Sequence, residues 1–270
     1  MALGFSFLSD NILQDVADAI RYCEDSKSGI APKDYAKRIK ALDDLLPQPD
    51  ALNFYAPNGC TIAFNKTGSP TTVGLEYSVD RGQNWVTWQP NANGNRTITL
   101  SAGQRMYLRN TSETSTGLCV SDSAYYTFTF SDEIYAKGKL DSMLCKNPDN
   151  ATFTSFCYDR LFRNCTYLKT APTLSNKTAT WVYRSCFQNT GIESITIPVT
   201  KPSNSQFYYA MYNCANLKEI RTSMTNVTAS DCLFRWVYNV PEGGDFYCKS
   251  SLSINTGVSG IPTGWTRHDI

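Results

Sequence analysis

The sequence predicts a mainly β protein in three parts: an N-terminal helical pair, a small antiparallel β-sandwich and a C-terminal repeat solenoid. Three observations predict it. Apolar residues recur every three to four positions near the start, every second position in the middle, and in blocks of about 25 residues towards the end. The 270 residues leave room for two or three small units at roughly 150 residues each. Charged residues make up only 18%, and Thr, Asn and Tyr fill the gap, a composition that suits pleated strands and turns.

Residues 1–46 read as two short helices. Ile12, Val16, Ala19, Ile20 and Cys23 form one apolar stripe, with Ser9 and Asp10 as candidate N-caps. Pro32 suits an early helical position, where its missing N–H is no loss, and Tyr35, Ala36, Ile39 and Leu42 share the second stripe. Leu45-Leu-Pro-Gln-Pro49 ends the helix and reads as a linker. Helices this short cannot bury their stripes alone. Ile12, Val16, Ile20, Tyr35, Ile39 and Leu42 are therefore the expected docking or oligomerisation residues, and a homo-oligomer, trimeric or hexameric, is the expected state.

Residues 51–135 carry the period of two. Val73, Leu75, Tyr77 and Val79 alternate with polar residues, and Asp80-Arg-Gly-Gln-Asn84 turns the chain into Trp85-Val-Thr-Trp88. Ile98 and Leu100, then Met106 to Leu108, then Tyr126, Phe128 and Phe130 continue the pattern. Short strands with turns every 8–12 residues or so indicate a sandwich. Continued alternation from Trp85 turns Trp88 outward, as a candidate ligand-facing aromatic beside Trp85 and Tyr77.

Residues 136–270 hold a repeat aligned on Asn164, Asn189, Asn213 and Asn239, spaced 25, 24 and 26 residues apart. Tyr158, Tyr183, Phe207 and Leu233 share one column, and Phe162, Phe187, Met211 and Val237 another. Stacked units with matching columns define a solenoid, with the asparagine side chains expected to bond the backbone at each corner. The sandwich is expected to cap one end and Gly243 to Ile270 the other. Tyr208, Tyr209, Trp236 and Tyr238 are the aromatics expected to line a ligand-facing surface.

The composition also excludes chemistry. The single histidine, His268, lies by the C-terminus, so triads and histidine-based zinc sites lose their imidazole. Ten cysteines occur without a C-x-x-C pair, and Cys165 with Cys214 and Cys157 with Cys232 fall in repeat columns, which reads as core and not as a metal site. Glu76, Asp80, Asp132, Glu133 and Glu193 are scattered and make no acid–base pair. A net charge of +1 gives no basic stripe for nucleic acid. No apolar run reaches the ~18 residues of a membrane span, and the opening residues lack a basic region before a short apolar stretch, so no membrane insertion or export is expected. The seven N-x-S/T sequons then read as turn asparagines. No enzyme activity, cofactor or metal is expected.

The repeats resemble the BspA-type leucine-rich repeat, Tyr-x-x-Met/Phe-Phe-x-x-Cys-x-x-Leu-x-x-Ala/Ile-Pro. Phe162-Arg-Asn-Cys165-Thr-Tyr-Leu168-Lys-Thr-Ala171-Pro172 follows it nearly throughout, and Met211-Tyr-Asn-Cys214-Ala-Asn-Leu217-Lys-Glu-Ile220 closely. The second unit departs with Thr190 for Cys, and the fourth keeps only its first half. Val16-Ala-Asp-Ala-Ile-Arg21 with Ile30-Ala-Pro-Lys-Asp-Tyr35-Ala is similar to a helical pair common in phage tail and structural proteins. The resemblance implies a virion protein of a tailed phage infecting Bacteroidetes, assembled in the host cytoplasm. It would serve as tail, fibre or capsid decoration, dock on other virion proteins through its N-terminus, and present the repeats to a host surface glycan, a host protein or neighbouring particle proteins. A bacterial surface adhesin, or a virion component without a receptor, are the alternatives it leaves open.

Overall fold

In a computed structural model of the chain, residues 49–270 are described. The expected helical pair, with Ile12, Val16, Ile20, Tyr35, Ile39 and Leu42, lies outside the described residues. The described chain is mainly β, with short 3-10 turns at Leu140–Met143 and Pro148–Asn150.

Two sheets form first. The smaller is built from β2 (Cys60–Thr67), β5 (Arg96–Leu100) and β7 (Tyr125–Phe130), with β2 central. The larger has β1 (Leu52–Ala56), β3 (Leu75–Ser78), β4 (Val86–Thr87), β6 (Gln104–Asn110), β8 (Ile134–Lys137) and β9 (Leu168–Thr170), in the order β4-β3-β6-β1-β8-β9. Alternation decides which face each strand buries: Ile62 and Phe64 on β2, Leu52 and Phe54 on β1, and Phe128 on β7 are fully buried. Across the layer Phe54 meets Phe128 edge-on at 5.2 Å, and within the smaller sheet Phe64 meets its cross-strand partner Phe128 at 4.7 Å.

The hairpin between β3 and β4 is closed by side chains. Asp80 accepts from the Ser78 hydroxyl at 2.6 Å and from the Asn84 backbone N–H at 2.9 Å, and Gly82 N–H donates to Ser78 Oγ at 2.8 Å. Burial pushes the Asp80 carboxyl up, but these hydrogen bonds outweigh it and hold the carboxyl below its ordinary value. Trp85 lies under the Arg109 guanidinium at 3.8 Å, and Arg109 pairs with Glu76 at 2.6 Å.

Trp88 corrects the sequence reading, since it is only 4% exposed. The alternation that turned it outward stops at Thr87, where β4 ends. The backbone then bends inward: Trp88 N–H donates to Leu75 O at 2.7 Å, its ring stacks towards Phe64, and the buried Arg96 Nε holds its carbonyl at 2.7 Å.

The rest of the chain is a β-solenoid. Its strands β10 (Ser194–Ile197), β11 (Glu219–Thr222), β12 (Asp245–Cys248) and β13 (Thr266–Asp269) make one parallel sheet in sequence order. The preceding strand, β9, pairs parallel with β8, so the first solenoid strand belongs to the larger sheet of the sandwich. The core follows the same path, because Phe162 stacks on Phe128 at 5.3 Å and on Phe187 at 5.6 Å.

Opposite the strands, each repeat runs as overlapping turns. Alternate N–H groups close a local turn, as Asp159 to Phe156 O and Leu161 to Tyr158 O do. The N–H groups between them reach the next repeat, as Tyr158 to Val182 O, Arg160 to Arg184 O and Phe162 to Cys186 O do. Every fourth residue has a positive φ: Phe156, Arg160 and Asn164 in the first repeat, and Ser205, Tyr209 and Asn213 in the third. Left-handed torsions cost L-residues about 1–2 kcal/mol each, so the inter-repeat hydrogen bonds, at about 0.5–1.5 kcal/mol apiece, are what make this backbone tenable. The third such position is always Asn, the non-glycine residue best suited to it. The asparagines bond one another and not the backbone: Asn189 Nδ2 donates to Asn164 Oδ1 at 2.7 Å, and Asn239 to Asn213 at 2.9 Å.

Candidate functional site

A φ pattern of period four produces a side-chain pattern of period four, with two residues in and two out. In the first repeat Cys157-Tyr158 and Leu161-Phe162 are buried, and Arg163-Asn164 look outward. In the third, Gln206-Phe207 and Ala210-Met211 are buried, and Tyr208-Tyr209 and Tyr212-Asn213 face out. In the fourth, Cys232-Leu233 and Trp236-Val237 are buried, and Phe234-Arg235 and Tyr238-Asn239 face out.

This register corrects Trp236. It is fully buried because its column, one repeat apart each time, is Leu161, Cys186 and Ala210, all inward. Its Nε1 donates to Gly260 O at 2.8 Å, and its ring meets Phe207 edge-on where Leu233 is too small to continue the Tyr158–Tyr183–Phe207 stack. Tyr208, Tyr209 and Tyr238 do lie on the outward face, and Tyr238 is 38% exposed.

The outward face changes character along the solenoid. The first two repeats combine an ionic network with one aromatic stack, Phe156 on Trp181 at 6.1 Å, over which the Arg184 guanidinium lies. Asp159 sits in an outward position but is covered by the 119–122 segment, and Arg184 donates to both its oxygens, at 3.0 and 2.6 Å. Arg160 adds a bond at 3.1 Å, and Asp122 pairs with both arginines. Burial pushes the Asp159 carboxyl up despite these partners, whereas the Arg184 hydrogen bond holds the exposed Asp122 down. The neighbouring Cys119 thiol is pushed up to about 12 by burial and by Asp159. Beneath lies a second buried carboxylate, Asp141, which accepts from the Tyr158 hydroxyl at 2.8 Å and pairs with Lys177 at 3.4 Å.

The last two repeats are aromatic. Tyr208 stacks on Phe234 at 4.8 Å, Tyr212 stacks on Tyr238 at 4.9 Å, and Tyr209 packs between the two stacks, edge-on to each. These spacings match the ~4.8 Å rise between neighbouring strands, as expected of equivalent residues in successive turns. Each stacked ring therefore turns one face to its neighbour. The Arg235 guanidinium lies 5.4 Å from the Phe234 ring centre and 5.7 Å from that of Tyr238. Sequence reasoning found Tyr208, Tyr209 and Tyr238 but missed Tyr212, Phe234 and Arg235. The in–out pairing of the repeat was the available signal.

The nine described cysteines are buried and unpaired, and thiol hydrogens go to backbone carbonyls, as from Cys165 to Phe128 O and from Cys214 to Phe187 O, both at 3.0 Å. Thr190, which replaces Cys in that column, bonds the same Phe187 carbonyl at 2.8 Å. Among the described residues no group of three or more His, Cys, Asp or Glu could hold a metal ion, and no helix is long and apolar enough to cross a membrane. The chain matches no family model, no curated protein and no solved structure.

Proposed function

We propose that this chain is a non-enzymatic structural protein of a tailed-phage particle, in which the N-terminal region docks to other virion proteins and the solenoid presents an adhesive face. The solenoid is read as a short leucine-rich-repeat array of the BspA type, on the motifs at Phe162–Pro172 and Met211–Ile220. The observation that carries the adhesive role is the division of the outward face. Its first half carries an internal ion-pair network beside the Phe156–Trp181 stack, while its second half presents a contiguous, half-buried aromatic cluster around Tyr209 that Trp181 joins edge-on through Tyr208. Exposed apolar patches of this kind are sites of association. The non-enzymatic reading is supported by the carboxylates, since Glu76, Asp80, Asp141 and Asp159 each carry a structural hydrogen bond or ion pair.

Mass spectrometry of density-purified particles beside the host envelope fraction tests the setting. Peptides of this chain are expected in the particle band, and enrichment in the envelope moves the protein to the surface-adhesin class. Deleting residues 1–46 is expected to abolish incorporation without unfolding the remainder; unchanged incorporation refutes docking through that region. Saturable binding of the purified chain to host cells favours a receptor role, and no binding favours a purely structural component. Reducing sugar released from host capsule would refute the non-enzymatic reading.

A further inference from the structure

The aromatic cluster carries two opposite charges that lack an ionic partner among the described residues, one of which, Arg235, lies over the Phe234 and Tyr238 rings. Asp231 and Arg235 are both exposed, four residues apart on the outward face of the fourth repeat. Neither makes an ion pair or a side-chain hydrogen bond among the described residues. Of the other solenoid arginines, Arg160, Arg184, Arg221 and Arg267 are each paired with a carboxylate, while Arg163, like Arg235, is not paired with one among the described residues. The Tyr208–Phe234 stack lies beside both free charges. Tyr208 is raised above the usual phenol range by partial burial and by its neighbour Tyr209, and further by Asp231, with Arg235 acting in the opposite sense.

A patch with an apolar middle, one unpaired anion and one unpaired cation is complementary to itself. Turned by a two-fold rotation, it sets its anion against the other copy's cation twice over, and seats aromatic on aromatic between them. We propose that this face is a two-fold contact between copies of the chain, in which Asp231 of each copy pairs with Arg235 of the other and the rings of Tyr208, Tyr209, Phe234 and Tyr238 pack across the axis. Residue type favours a protein surface over a sugar. Tyr and Arg are typical of association hot spots and Phe is enriched in interfaces, and the stacked rings have already turned a face to each other and offer less platform to a pyranose. Arg235 is also held over its rings in advance, which lowers the ordering cost of using it. The inference is independent of the particle assignment but rests on the adhesive reading of this face, and goes beyond it by naming a second copy of the chain as the occupant.

Charge exchange in the full chain is the test, read by sedimentation velocity over a wide concentration range. Arg235→Asp leaves each copy with two acids at the patch, and Asp231→Arg leaves each with two bases. Both positions have positive φ, at +47° and +52°, and the solenoid already holds Arg at φ +59° in Arg160, so neither change makes a new demand on the backbone. Each variant alone is expected to associate at least about tenfold more weakly than the parent. An equimolar mixture of the two is expected to recover association, because the mixed pair regains both ion pairs. Any assembly through residues 1–46 is common to all samples and cancels in the comparison. The proposal is overturned if both single variants sediment as the parent does, or if they lose association and the mixture does not restore it. Circular dichroism spectra superimposable on that of the parent establish that the variants are folded.

Discussion

Replacing Phe162 by alanine probes how the two halves of the described chain hold together. The ring is fully buried and belongs to both halves: it stacks on Phe128 of the smaller sheet at 5.3 Å, stands edge-on to Phe54 of the larger sheet at 6.3 Å, and begins the solenoid stack with Phe187 at 5.6 Å. Truncating a buried Phe costs about 3–5 kcal/mol, from lost transfer energy and the cavity left behind. With ring neighbours on three sides the site cannot readily collapse, which places the loss near the middle of that range, about 4 kcal/mol. At about 2–4 °C per kcal/mol for a unit of this size, the melting midpoint is expected to fall by about 8–16 °C. The assay is thermal unfolding followed by far-UV circular dichroism and by tryptophan fluorescence, with Tyr167→Ser as the control. The Tyr167 side chain is exposed and outside the ring stacks, so the control is expected to stay within about 0.5 kcal/mol of the parent. A fall of less than about 3 °C for Phe162→Ala, or two well-separated transitions in the unaltered protein, would refute the continuous core.

Arg184→Met leaves the fully buried Asp159 carboxylate with only Arg160 and the Cys119 thiol as partners among the described residues, and is expected to cost about 3 kcal/mol in a denaturant melt; pairing it with Asp159→Leu is expected to recover most of that loss. Burial raises the thiols of Cys119 to about 12 and of Cys214 to about 11, and raises Cys157, Cys186, Tyr158 and Tyr183 well above their ordinary values. Groups raised in this way keep their full contribution below the free thiol value of 9.0 and lose it as the pH climbs past it, because only the unfolded chain then ionises. The unfolding free energy from urea melts is therefore expected to be flat near neutrality and to drop by about 1.4 kcal/mol per pH unit for each raised thiol above about pH 9, and for each of the two tyrosines only above about pH 10; a value unchanged up to about pH 11 argues against burial. Gly138 has φ +76°, and a Cβ there would lie 1.8 Å from the Ala51 carbonyl oxygen, so Gly138→Ala is expected to cost about 2–4 kcal/mol in thermal melts.

Strands that bury one face were legible in the sequence wherever alternation ran long enough. Tyr126, Phe128 and Phe130 fall inside β7 as their spacing implies, and Ile98 with Leu100 inside β5. Alternation failed at Trp88 because a strand of two residues carries no parity beyond its own end. In the solenoid the repeat and its columns were readable, since identical environments one turn apart select similar side chains. The two-in, two-out register was not drawn from it, because that register comes from left-handed torsions at ordinary residues, Phe156 and Arg160 among them, for which residue type gives no warning. Trp236 was misplaced for that reason, although its column mates Leu161, Cys186 and Ala210 already mark the position as interior. The covering of Asp159 by the 119–122 segment is a tertiary event that no local pattern encodes.

The ladder of backbone bonds between repeats also has a direction. From Phe156 to Asn213 the alternate N–H groups of each repeat find carbonyls on the next, whereas in the fourth repeat Val237 reaches the Val258 carbonyl and Arg235 settles for the Ser259 hydroxyl. The left-handed torsions persist there, at Asp231, Arg235 and Asn239, with less to offset them. At the other end β9 is bonded into a sheet that is already complete around β1 and β6. Opening of the array is thus polarised: amide exchange should begin at the fourth repeat and retreat towards β9, like a zip with one end sewn shut. The aromatic cluster sits on the part that opens first, so whatever seats itself there also fastens the loose end.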